Sequence, residues 1–141
     1  MFLGNYFYNI NKNYKNFYFS GISFDTKSIK KNNVFFAIKG NSFDGNKFIS
    51  EAVKKGSKII VTEKKGNDFQ NGILYIHTSN IRKLLAETAF KIYNKKPKNL
   101  IAVTGTNGKS SVADFYYQIL KLNNKKVASI GTLGVKSKRI N

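Results

Sequence analysis

The sequence predicts an α/β protein: a small N-terminal α/β domain, then the opening strand–helix–strand of a second, mostly parallel sheet of the phosphate-loop kind. Three observations predict this. Short apolar, β-branched runs alternate along the chain with segments whose apolar residues recur at helical spacing. Clusters of Gly, Asn and Lys separate the two kinds of segment. The only proline lies in a polar stretch, NKKPKN (94–99), that divides the chain in two.

Each element has its own signal. GISFDTK (21–27) and NVFFAIK (33–39) read as short strands. Over 46–55, Phe48, Ile49, Ala52 and Val53 share one helical face, and Gly56 is a natural stop. SKIIVTE (57–63) and GILYIHT (72–78) are β-branched strands with turn residues between them. Asn80 suits an N-cap, after which Ile81, Leu84, Leu85, Ala89 and Ile92 recur as on a helix. Beyond the linker come strand 100–104, helix 109–122 with Val112, Phe115, Tyr116, Ile119 and Leu120 on one face, and strand 126–130. The expected domains are therefore 1–96 and 97–141, and no internal repeat is visible.

Composition narrows the functional class. The chain has 141 residues, 41% hydrophobic, enough for a core, so disorder is not expected. It holds no cysteine, which removes a disulfide framework and any thiolate metal site. No apolar run approaches the roughly 18 residues of a membrane span, and the aromatic start is broken by Asn and Lys, unlike a signal peptide. A cytoplasmic protein with no membrane partner is expected. The charge is strongly positive, 25 Lys+Arg against 7 Asp+Glu. The lysines are spread along the chain among abundant Asn, Ile, Phe and Tyr, a mixture that an AT-rich genome yields whatever the function. A basic balance alone is a weak signal, so no nucleic-acid partner is expected.

The chemistry concentrates in LIAVTGTNGKSSVADFYYQIL (100–120). An apolar strand leads to a turn where Gly105 and Gly108 permit backbone conformations that side chains disfavour. The next helix would begin there, presenting unpaired N–H groups and the positive end of its dipole to an anion. Lys109 adds a charge that can reach terminal phosphates, and the Ser110 hydroxyl stands where phosphate loops place a Mg²⁺ ligand. The spacing is the shorter Gly-x-x-Gly-Lys-Ser, because Val103 occupies the place of a first glycine.

TGTNGKSS (104–111) resembles the ATP-binding loop of the Mur ligase family. DTKSIKKNNVFFAIKGNSFDGNKFISEAVKKGSKIIV (25–61) is similar to that family's N-terminal pattern, and ASIGTLGV (128–135) resembles the segment after the second strand in the branch that adds the third amino acid. Thr26 and Lys27 stand for the family's Ser and Arg, Ser110 and Ser111 for a Thr pair, and Asn33 for a Gly. The resemblance implies an ATP- and Mg²⁺-dependent ligase of peptidoglycan precursors. ATP phosphorylates a carboxylate of UDP-N-acetylmuramoyl-L-alanyl-D-glutamate, and the amine of a diamino acid, meso-diaminopimelate or L-lysine, displaces the phosphate. By the same resemblance, Gly105, Thr106, Asn107, Gly108, Lys109, Ser110 and Ser111 hold ATP. Lys109 is catalytic and Ser110 binds the metal, while Phe24, Thr26, Asn41, Ser42 and Phe43 hold the uridine nucleotide. Residues 1–96 become the UDP-sugar domain and 97–141 the start of the ATP-binding domain.

After Gly108 the sole acidic residue is Asp114, so the metal carboxylate of a complete site is missing. The expectation is an N-terminal part of a longer ligase, monomeric when full length and inactive as these residues alone. Alternatives are the sister ligase that adds D-alanyl-D-alanine, an unrelated phosphate-loop enzyme, or a basic module stacking single strands on YFYNINKNYKNFYF. Asp44-Gly45 and the hydroxyl of Thr26 also admit readings as turn residues. His77, the only histidine, closes an apolar strand and is expected to be structural.

Overall fold

The structure, a computed structural model, describes residues 1–137 apart from Asn9, Ser42 and Asn67. The chain divides into two compact units, Met1–Lys96 and the residues from Pro97 onward.

The first unit is built on strands β1 (Gly21–Ser23), β2 (Asn33–Phe36), β3 (Ile59–Thr62), β4 (Phe69–Gln70) and β5 (Ile73–His77), in the spatial order β1-β2-β3-β5-β4. The neighbouring pairs β1–β2, β2–β3 and β3–β5 are parallel, and β4 alone runs antiparallel, beside β5. Alternation along the strands explains why both faces are covered. Val34 and Phe36 on β2, with Ile59 and Val61 on β3, enter a core closed by α2 (Ile81–Ile92) and the aromatic N-terminal segment. Phe35 and Ile60, pointing the other way, pack with Ala37 and with Ala52 of α1 (Ile49–Lys54). Such two-sided burial is the signature of a parallel sheet, whose strands read as continuous apolar runs.

Helix α2 begins where the sequence places it. The Asn80 Oδ1 accepts from the Lys83 N–H at 2.9 Å, and the Glu63 carboxylate accepts from the Ile81 N–H at 3.0 Å, so two otherwise unpaired donors are satisfied by acceptors at the positive end of the helix. Helix α1 is shorter than the expected 46–55, because Gly45–Phe48 forms a 3₁₀ turn. Asp44 caps that turn by accepting from the Asn46 N–H at 2.9 Å. Asn33 does not take a left-handed conformation. It opens β2, and the residue with positive φ is Asn32, at 62°.

In the second unit the expected helix is α3 (Lys109–Leu122), followed by β6 (Ala128–Gly131) and β7 (Gly134–Ser137), an antiparallel pair. Two expectations are corrected here. Residues 100–104 form no strand, because no other strand among the described residues pairs with them and a ladder needs a partner. The expected apolar face of α3 is mostly not its covered face: Val112, Phe115, Tyr116 and Ile119 are exposed and only Leu120 is half-buried, whereas Tyr117 is buried. The hairpin approaches α3 from the side of Ser110 and Asp114, and the covered or half-covered residues Ala113, Asp114, Tyr117 and Leu120 lie toward that side. Among the described residues no helix is long and apolar enough to cross a membrane.

Candidate functional site

The loop 104–111 lies exposed at the start of α3. Gly108 is the N-cap residue with φ of 73°, a left-handed conformation that a Cβ would strain, although the space around it is open. No side chain caps α3, so the first-turn N–H groups face outward as donors at the positive helix end. Lys109 turns back over the loop, its ammonium donating to the Gly105 carbonyl and, at 3.1 Å, to the Thr106 carbonyl. The ammonium therefore lies over the carbonyls of the glycine turn at the start of α3. Thr106, Asn107 and Ser111 complete the exposed turn.

The β6–β7 hairpin supplies a wall the sequence did not signal. The Ser110 and Thr132 hydroxyls lie 2.9 Å apart. Farther along α3, Asp114 binds the Lys136 ammonium and accepts from the Gln118 amide at 2.7 Å. These two partners, Lys136 first, hold the Asp114 carboxyl below its ordinary pKa. Between helix and hairpin is a recess lined by Ser110, Ala113, Asp114, Thr132, Leu133 and Lys136. Among the described residues no three of His, Cys, Asp or Glu cluster as a metal cage. The Ser110 hydroxyl is the protein group here that could hold a hard cation such as Mg²⁺, which needs few protein ligands. Asp114 is already neutralised by Lys136.

In the first unit, parallel pairing brings the C-terminal ends of β1, β2, β3 and β5 to one rim, the usual location for ligands in open α/β sheets. Phe24 follows β1 and is 66% exposed, and Phe43, in the segment after β2, is 75% exposed. Asn41 is also exposed, and Ser42 lies outside the described residues. Thr26 differs from them. It is 8% exposed, and its carbonyl accepts from Lys55 at 2.8 Å. Lys55 above all, and then Thr26, lower the pKa of Glu51. The turn carrying Thr26 is fixed by Asp25, which accepts from the Lys27 N–H at 2.9 Å, and by Ser23, which donates to the Asp25 carbonyl at 2.8 Å.

The segment from Ile38 to Gly45 folds back on itself through Lys39–Asp44 bridging and a 2.9 Å bond from the Gly45 N–H to the Ile38 carbonyl. Its base is held by residues that sequence reasoning did not single out. Thr62 donates to the Asn46 side-chain carbonyl at 2.9 Å, and the Asn46 amide donates to Asp44 at 2.7 Å. The side chain and then the backbone of Asn46 lower the pKa of Asp44. A threonine ending a run of β-branched apolar residues was the available signal. His77 is structural: its Nδ1 donates to the Lys64 carbonyl at 2.6 Å and its ring stacks on Tyr75.

Comparison with known proteins gives a consistent set of likenesses. The family model described as Mur ligase family, catalytic domain, matches residues 18–104. The chain is 45% identical over 128 residues to the UDP-N-acetylmuramoyl-L-alanyl-D-glutamate--2,6-diaminopimelate ligase of Rickettsia prowazekii (strain Madrid E), covering 91% of this chain and 26% of that protein. To the ligase of the same name from Clostridium tetani (strain Massachusetts / E88) it is 44% identical over 116 residues, covering 79% of this chain and 24% of the other. Among solved structures, the MurF ligase from Thermotoga maritima in complex with ADP superposes with a TM-score of 0.55 at 28% identity, over 74% of this chain and 23% of that one. A structure of a UDP-N-acetylmuramoyl-L-alanyl-D-glutamate--2,6-diaminopimelate ligase gives a TM-score of 0.71 at 20% identity over 99% of this chain and 29% of that one, a likeness of fold. The chain spans about a quarter of the length of the curated relatives it matches.

Proposed function

This chain belongs to the Mur ligase family, and on that premise we propose that it serves an ATP-dependent, amide-forming ligase of peptidoglycan precursor synthesis in the cytoplasm. The reaction adds the third amino acid, meso-diaminopimelate, to UDP-N-acetylmuramoyl-L-alanyl-D-glutamate. Relatives at 45% and 44% identity carry that activity in their names, which supports this choice over the D-alanyl-D-alanine-adding sister. The observation that carries the reading is the uncapped start of α3 with Lys109 stationed over the glycine turn.

The chemistry needs charge control at two moments. A substrate carboxylate oxygen attacks the terminal phosphorus of ATP, the bond to the ADP oxygen breaks, and an acyl phosphate forms. The amine then attacks the acyl carbon, phosphate departs with the C–O electron pair, and the amine loses a proton. Positioning and neutralisation supply most of the catalysis in phosphoryl transfer. The N–H groups at the start of α3 and the Lys109 ammonium would neutralise the phosphates of ATP. The Ser110 hydroxyl would hold Mg²⁺, which would supply further positive charge against the phosphates. Gly105, Thr106, Asn107, Gly108 and Ser111 would complete the cradle.

The uridine nucleotide would lie on the rim of the first unit. Phe24 and Phe43 offer exposed aromatic rings for a base, Asn41 and Ser42 offer polar groups, and buried Thr26 braces the turn through its carbonyl bond to Lys55. On this assignment Met1–Lys96 is the UDP-sugar domain and the residues from Pro97 belong to the ATP domain.

Calorimetry with Mg·ATP and with UDP-N-acetylmuramoyl-dipeptide tests the division. Lys109→Ala should lower ATP affinity at least about tenfold, since it removes a charge-assisted contact, and leave the UDP ligand unaffected. Phe43→Ala should do the reverse. Variants that weaken both ligands alike, or neither, would remove the assignment.

A further inference from the structure

We propose that Thr132 is a positioning residue for the Ser110 hydroxyl, accepting its proton so that the oxygen lone pairs face the metal–phosphate group. The inference rests on the phosphate-loop reading above and concerns a residue that this reading does not use.

Three features carry it. First, the geometry is direct: Ser110 Oγ and Thr132 Oγ1 are 2.9 Å apart, within hydrogen-bond distance of two hydroxyls. Second, Thr132 is held in place independently of Ser110. It sits in the two-residue turn between β6 and β7, whose register runs from Ala128↔Ser137 to Gly131↔Gly134. The hairpin is also tied to the helix by the Lys136–Asp114 ion pair, which Gln118 supports from the next turn of α3. Third, the pairing answers a chemical need. A hydroxyl that coordinates a cation offers it a lone pair and must direct its hydrogen elsewhere, and a hydroxyl has only one hydrogen. Without an acceptor, that hydrogen competes with the cation or points into solvent. Partners that orient a metal ligand in this way typically contribute about 10–100-fold to metal affinity.

Thr132 thus acts through Ser110 rather than on the nucleotide. Its effect should appear only in the metal-dependent part of binding, which separates positioning from general support of the fold. The conservative replacement Thr132→Ser keeps the acceptor, while Thr132→Val removes it at nearly the same volume.

The test is calorimetric titration of the 141-residue chain with ADP, with and without Mg²⁺. Far-UV circular dichroism checks that each variant is folded. Wild type should bind ADP more tightly with Mg²⁺. Thr132→Val should lose about tenfold of that enhancement, keep its Mg²⁺-free affinity, and be restored by Thr132→Ser. In the Ser110→Ala background, adding Thr132→Val should change nothing further, because the hydroxyl it orients is gone. Retention of the full Mg²⁺ enhancement by Thr132→Val overturns the proposal. So does an equal loss with and without metal, or a further loss in the Ser110→Ala background. In each of those cases the phosphate-loop reading stands as long as Lys109→Ala weakens ADP. Absence of ADP binding by the wild-type chain would overturn both together.

Discussion

Replacing Gly45 by alanine should break the base of the 38–45 segment that carries Asn41 and Phe43. A Cβ at residue 45 would lie 2.5 Å from the Ile38 carbonyl oxygen, 2.6 Å from the Ile38 nitrogen and 2.8 Å from the Ala37 carbonyl carbon. All three are backbone atoms, and Ala37 is itself tied to the sheet by a 2.9 Å bond to the Val61 carbonyl, so a side-chain rotation cannot relieve the clash. The segment must instead move by about 1 Å to reach ordinary van der Waals separation. That displacement breaks the Gly45 N–H to Ile38 bond, worth about 1 kcal/mol, and adds overpacking strain of about 1–3 kcal/mol. The expected cost is therefore about 2–4 kcal/mol, a large share of the ~5–15 kcal/mol of a typical domain. With a urea dependence of about 1–1.5 kcal/mol/M for a domain of this size, the midpoint should fall by about 2 M. The assay is urea unfolding followed by far-UV circular dichroism, with Gly66→Ala as control. A Cβ at Gly66 meets only the His77 ring carbon, at 3.8 Å, and should change stability by less than about 0.5 kcal/mol. Affinity for the UDP ligand should also fall in Gly45→Ala. A midpoint within about 0.5 M of wild type would refute the steric reasoning.

Two further outcomes follow from the same structure. The bonds from Asn46 depress the folded pKa of Asp44, so the stability they bring is complete above the unfolded carboxylate value of about 3.9 and lost as pH falls through the folded value. The stability difference between wild type and Asp44→Asn should then shrink on going from pH 6 to pH 2.5 in urea titrations, and a gap independent of pH would contradict it. Trypsin should cut first in the exposed 94–99 segment, after Lys95 or Lys98 because Pro97 protects Lys96, leaving the first unit resistant. Early cleavage between β2 and β3, read by mass spectrometry, would count against that division.

Elements fixed by local pattern were legible in the sequence. The Asn80 cap, the α2 repeat and the apolar runs of β2 and β3 are local signals, and each element lies within two residues or so of its expected start. The helix start at Lys109 was legible for the same reason, since Gly108 must precede it. What sequence reasoning missed depends on partners distant along the chain. Strand β7 exists only by pairing with β6, and the two-residue β4 only by pairing with β5. The covered side of α3 is set by where the hairpin docks, not by where its apolar residues are densest. Thr132 lies inside the 128–135 resemblance but receives no role from it, and Lys136 lies outside any motif, because the roles of both come from contacts 22 positions away. In the first unit, Thr26 reads in sequence as a nucleotide-binding residue or a turn hydroxyl, and its burial beside Lys55 at the end of α1 was not legible because that contact spans 29 positions.

The turn at 105–111 is proposed to receive the phosphates of a nucleotide. Amide-resolved NMR titration of the isotopically labelled chain with Mg·ADP tests it most directly, because the donors in question are backbone N–H groups. The largest shift changes should fall on Gly105, Thr106, Asn107, Gly108, Lys109, Ser110 and Ser111, with the rim residues Phe24, Asn41 and Phe43 unmoved. Saturable changes centred on that rim, or no change at the glycine turn at millimolar Mg·ADP, would contradict it.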